Sequence, residues 1–167
     1  MEPIPEEMVK RTWLEVAGFS PRRANIEIMK IGKNQPELLA FMVELIKKVD
    51  QEVNEPGFST FFVVYRIFQK AQGKIKKIST EEITKCYEYN KSLMEKLEES
   101  HENFFDRVTS IEISRQPHVV RYIVDALMEE EESEDTLSLT EEQKNFLFLL
   151  LKTVIDVLDQ KCMESSE

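Results

Sequence analysis

The sequence predicts an all-α protein: one helical domain, a bundle of two tandem four-helix units related by pseudo-two-fold symmetry. Three observations carry that expectation. Only four Gly and six Pro are spread over 167 residues, while Leu, Glu, Lys and Met are plentiful, so the turn-rich composition of a β-sandwich or barrel is missing. An apolar fraction of 41% is enough for a real core at this length. The third observation is an internal repeat, in which the stretch from Gln35 to Ile46 aligns without a gap on that from Gln116 to Leu127, at an offset of 81. Phe41 meets Tyr122, Glu44 meets Asp125, and Leu38, Leu39, Met42, Val43, Leu45 and Ile46 all meet apolar partners.

The first unit, residues 1–78, is expected to hold helices over about 4–17, 21–31, 36–49 and 60–72. In the first of these Trp13, Leu14, Val16 and Ala17 form an apolar stripe that reads as core, the alternative being a terminal amphipathic helix that anchors a partner or a second subunit. The second begins at Ser20-Pro21, with proline in a first turn where its missing N–H costs nothing. The third begins at Gln35-Pro36. A residue before proline is pushed out of helical geometry, so Gln35 falls at or near the N-cap, its amide available to its own helix or to a neighbouring backbone. Phe58-Ser59, an apolar residue before a hydroxyl, reads as the entrance to the fourth helix.

The second unit, residues 79–162, is expected to hold helices over about 80–99, 102–113, 117–132 and 141–161, with 163–167 as a disordered tail. Ser79-x-x-Glu82 is a capping box, Gln116-Pro117 repeats the first glutamine–proline pair, and Leu139 with Thr140-x-x-Gln143 makes a second capping box. At the same offset Tyr65, Ile67 and Phe68 fall over Phe146, Phe148 and Leu149. The run Phe61 to Phe68 is aromatic and β-branched enough for a buried strand, but its counterpart continues with helical spacing at Leu151, Val154, Ile155 and Leu158. Both are read as helices. Each is apolar around nearly its whole circumference, which marks either a central buried helix or a subunit interface. If the chain forms a homo-oligomer, Phe146, Phe148, Leu149 and Leu151 are the face to use.

Charge narrows the function classes. Twenty-two basic against thirty-two acidic side chains give a net charge of −10, which opposes general binding to nucleic-acid phosphates. The longest uncharged stretches, Pro56 to Tyr65 and Asn145 to Leu151, fall far short of the roughly 20 apolar residues of a membrane span. The acidic N-terminus lacks the pattern of a signal peptide, and Cys86 and Cys162 stand apart, so the cytoplasm is the expected compartment.

No catalytic motif is visible. Glu98-x-x-His101 has the spacing of a di-iron carboxylate bundle, but that site needs a second such pair, and Arg115 stands where His118 would need a carboxylate. Cys86, His101, His118 and Cys162 have no spacing that supports a single metal. No phosphate loop, HExxH or GxSxG occurs, and neither a cofactor nor a metal is expected.

Two charged segments remain. Lys70, Lys74, Lys76 and Lys77 form a basic patch, and from Glu129 to Glu142 there are eight acidic residues and no basic one. The acidic run, with Glu129, Glu130, Glu131, Glu132, Glu134 and Asp135 at its head, is the candidate docking surface for a protein partner with a basic face. Ser133 to Leu139 within it is expected to be exposed and mobile. The sequence therefore points to a non-enzymatic interaction module, an adaptor, regulator or assembly factor. The alternative is a small-molecule or metal-dependent helical enzyme with a cleft between the halves.

Overall fold

The structure is a computed structural model and describes residues 2–49, 51–100, 115–129 and 139–166. Among the described residues there are seven helices and no strand: α1 Glu6–Ala17, α2 Pro21–Asn34, α3 Pro36–Ile46, α4 Gln51–Gln72, α5 Thr80–Ser100, α6 Pro117–Glu129 and α7 Glu141–Ser166. None is long and apolar enough to cross a membrane. The helix expected over 102–113 lies outside the described residues, as do His101, the acidic residues 130–138 and the side chain of Glu129.

Local chemistry sets the helix starts. The Ser20 hydroxyl accepts from the Arg23 N–H at 3.1 Å. Ser79 and Glu82 bond each other's backbone N–H groups at 3.0 and 3.2 Å, and Thr140 and Gln143 do the same at 2.9 and 3.1 Å. Each box satisfies two N–H groups that a helix start otherwise leaves open.

One entrance is elsewhere. Helix α4 begins at Gln51, so Phe58-Ser59 lies inside it, together with Pro56. The Thr60 hydroxyl donates to the Pro56 carbonyl at 2.8 Å, a within-helix bond rather than a cap. The last helix also runs further than expected, to Ser166, through most of the stretch read as a tail.

Helices α4 and α7 form the centre. Phe61 to Tyr65, Ile67 and Phe68 on α4 are buried, as are Leu147 to Leu151, Val154, Ile155, Val157, Leu158 and Cys162 on α7. Of the alternatives for these apolar helices, burial within the chain is the one observed. Phe148, Leu149 and Leu151 are consumed by the core and Phe146 is half-buried against it, so no dimer face is left there. Around this pair, α5 lies along α7 and α1 along α4, while α3 and α6 each touch both central helices. Leu139, the last residue of the segment expected to be mobile, is buried in the same core.

The face that α1 buries is rotated from the stripe expected, of which Val16 alone packs against the core. Val9 and Thr12 are the buried positions, whereas Trp13 is 42% and Leu14 52% exposed. Thr12 can point inward because its hydroxyl donates to the Met8 carbonyl at 2.8 Å, leaving no polar group unsatisfied.

Candidate functional site

Three places gather chemistry: two buried glutamine clamps, a lysine-walled cavity beside the first, and a groove at Trp13.

Gln35 is the single residue between α2 and α3. Its N–H donates to the Ile31 carbonyl at 2.6 Å and its carbonyl accepts from Leu39 at 3.0 Å, so its backbone ends one helix and starts the next. Its backbone, at φ −135° and ψ 63°, is out of helical geometry, as the following Pro36 favours. The amide makes no bond to its own helix. Instead, its Nε2 donates to the carbonyls of Ile75 at 3.3 Å and Lys76 at 2.8 Å, and its Oε1 accepts from the Ile78 N–H at 3.0 Å. It grips the extended strap that leads into α5.

Gln116 does the same to the strap that leads into α1. Its Oε1 accepts from the Ile4 N–H at 2.8 Å, and its Nε2 donates to the Glu2 carbonyl at 3.3 Å. Both glutamines are fully buried, and Ile4 and Ile78 are buried beside them. An amide offers a donor and an acceptor on one rigid plane, which matches an extended backbone's spaced carbonyl and N–H.

The surroundings of the clamps differ. Next to Gln116 stands Asp159, whose Oδ1 accepts from the Gln116 amide at 2.8 Å and whose Oδ2 pairs with Arg115 at 3.3 Å. Next to Gln35 stands Tyr65. Burial pushes its hydroxyl above the usual phenol range, an effect that Gln35 partly offsets and Cys162 reinforces.

Tyr65 and Gln69 of α4 line a cavity of about 710 Å³ that is also bounded by Lys33 and Asn34 at the end of α2 and by Gly73 to Lys77. Gly73 has φ +84°, a left-handed conformation that suits glycine, and it turns the chain out of α4 into the strap. Ile75 and Ile78 face the core, leaving Lys74, Lys76 and Lys77 exposed. The basic patch seen in the sequence is therefore redrawn: Lys33 joins it from a distant position, and Lys70 turns instead to Glu15. Glu15 also holds Arg66 at 2.9 Å, tying α1 to α4.

The groove at Trp13 lies between α1 and α6. It encloses about 280 Å³ and is lined by Glu6, Val9, Lys10, Trp13, His118, Arg121, Tyr122, Asp125 and Ala126. Sequence reasoning placed Trp13 in the core and gave His118 no role, and nothing in the pattern of α1 alone marks the groove.

A further polar cluster is sealed between α5 and α7. Lys152 donates to Asn90 Oδ1 at 3.0 Å and Asp156 Oδ2 at 2.9 Å, and the Asn90 amide donates to Asp156 at 2.9 Å. Cys86 and Cys162 are buried in separate surroundings, and burial raises both thiols, Cys162 to about 11. Among the described residues no group of three or more His, Cys, Asp or Glu is placed to hold a metal ion. No family model, curated protein or solved structure matches the chain.

Proposed function

We propose that the protein works by protein–protein contact, as an adaptor, regulator or assembly factor, and that the α1–α6 groove is its anchoring surface. The observation that carries this reading is Trp13, an aromatic side chain left 42% exposed at a cavity whose opposite wall presents Arg121 and Tyr122. Trp, Tyr and Arg are the side chains that most often dominate binding energy at protein interfaces. The acidic residues Glu129, Glu130, Glu131, Glu132, Glu134 and Asp135 supply attraction at longer range, so the partner carries a basic face. Capture of partners from native cell extract by the full chain tests both parts. Trp13→Ala should abolish capture at all salt concentrations. Replacing Glu129 to Glu132 with Gln should weaken capture at low salt and leave the light-scattering mass of the protein itself unchanged. Capture that survives both changes overturns the assignment.

We infer also that the bundle descends from an internal duplication, with α1, α3 and α4 equivalent to α5, α6 and α7. The support is reciprocity of packing: α1 on α4 matches α5 on α7, α3 on α4 matches α6 on α7, and α3 on α7 matches α6 on α4. The first helix of each set also lies on the helix that begins at the other set's glutamine–proline pair, α1 on α6 and α5 on α3. The clamps follow the same rule, each glutamine holding the strap that leads into the first helix of the other set, Gln35 the one ahead of α5 and Gln116 the one ahead of α1. Under this reading the offset is not constant. Ile4 pairs with Ile78 and Tyr65 with Asp159, so the second copy carries a longer first helix and a longer connection before its last helix.

A further inference from the structure

We propose that the lysine-walled cavity beside Gln35 binds a compact polyanion, a small molecule carrying two or more phosphate groups. Four lysines, Lys33, Lys74, Lys76 and Lys77, line it, and no Asp or Glu does. Among the described residues none of the four has an ion-pair partner. In a chain with net charge −10 and an abundance of Glu, four unpaired cations around one hollow concentrate positive potential where the rest of the surface repels anions.

The contrast with the second clamp sharpens the point. There Arg115 has its counter-charge inside the chain, because Asp159 pairs with it at 3.3 Å. Beside the first clamp the neighbouring side chain is the neutral Tyr65, so the lysines have no internal counter-ion and an external one completes the site. The strap is also held in advance. Three bonds from the Gln35 amide fix the backbone on which Lys74, Lys76 and Lys77 stand, which lowers the ordering cost of binding.

The size and polarity of the hollow select the ligand. At about 710 Å³ it falls within the range of small-molecule sites, roughly 300 to 1,000 Å³. Lysine ammonium groups bind phosphate as point charges, and Tyr65 adds an uncharged side chain to the wall. A long polyanion such as a nucleic acid would meet the repulsion of the remaining acidic surface, whereas a compact one feels mainly the four cations.

Calorimetric titration of the full chain at low ionic strength with inorganic tripolyphosphate tests the proposal, with a glutamate oligopeptide of matching charge in parallel. The expected result is saturable binding of one tripolyphosphate per chain with a rise in Tm. The triple variant Lys74→Gln, Lys76→Gln, Lys77→Gln should weaken binding by about a hundredfold. Its unliganded Tm should stay unchanged, since all three side chains are exposed. Trp13→Ala should leave tripolyphosphate binding intact, which separates this site from the partner groove. Absence of saturable binding, an undiminished affinity in the triple variant, or tighter binding of the glutamate peptide than of tripolyphosphate overturns it.

Discussion

Burial of a titratable side chain matters through the proton it holds. Cys162, Cys86 and Tyr65 all hold theirs more tightly in the folded protein than in the unfolded chain, chiefly because burial disfavours the charged form. A raised folded pKa contributes stability that is complete below the unfolded value and is lost as pH rises toward the folded one. For Cys162 that window runs from the ordinary thiol value of 9.0 to about 11. Urea unfolding should therefore give a flat midpoint at neutral pH and a midpoint that falls steadily over this alkaline window. At pH 8, iodoacetamide should leave both thiols of the native protein unmodified and alkylate both in denaturant. Rapid native modification of Cys162 would contradict its burial. At this same scale the sequence was partly readable. Ser20, Ser79 and Thr140 announce their caps because a cap needs only residues within one turn. Trp13 did not announce its exposure, because which face of α1 meets α4 is decided by residues far away. Thr12 looks polar in sequence and is core only because Met8 absorbs its hydroxyl.

Between elements, the tightest specification lies along α5 and α7. Asn90 meets Lys152 and Asp156 only when the two helices are in one register, since a slip of one turn would leave the buried Asn90 amide without partners while Lys152 kept only Asp156 of its own helix. Lys152→Met removes the donor to Asn90 Oδ1, and Asn90 is almost wholly buried. The expected cost is about 1–3 kcal/mol in chemical denaturation, from the unsatisfied acceptor. Double replacement of Lys152 with Met and Asn90 with Leu should recover part of that loss, because no buried amide is then left unsatisfied and the partly exposed Asp156 can be hydrated. Losses that simply add would show that the two side chains are not coupled. The apolar runs from Phe61 and from Asn145 were legible as helices, but their partners were not. A helix that is apolar all round looks alike whether it faces its own chain or another. The entrance placed at Ser59 failed for a related reason: Pro56 and Ser59 are each local signals for a start, and α4 continues through both.

For the molecule as a whole, the strap ahead of α1 is a structural member. Ile4 is buried, and its N–H is held by a glutamine 112 positions away. Deleting residues 2–4 removes the burial of one Ile side chain, about 1.5–3 kcal/mol. It also removes the bond from the Ile4 N–H to the buried Gln116 Oε1, about 0.5–1.5 kcal/mol more. Gln116→Ala and the deletion should each lower Tm, and their combination should cost less than their sum, because both break the same bond. Full additivity would mean that the strap is held by packing alone. The repeat that first suggested this symmetry was visible because the glutamine–proline pair and the helix behind it kept one spacing. Under the proposed duplication the remaining correspondence is hidden by changes of length, which shift the offset without altering which helices touch.

The reciprocal clamps bear on how the chain comes off the ribosome. Synthesis proceeds from the N-terminus, and domains that close on themselves fold as they emerge. Here the residue that secures the strap of α1 is Gln116, and Gln35 has no strap to hold until Ile75 to Ile78 have been made. A nascent chain ending near residue 78 therefore has its first glutamine served and its own leading strap loose, with one wall of the α1–α6 groove still unwritten. Half of this protein is not a smaller protein.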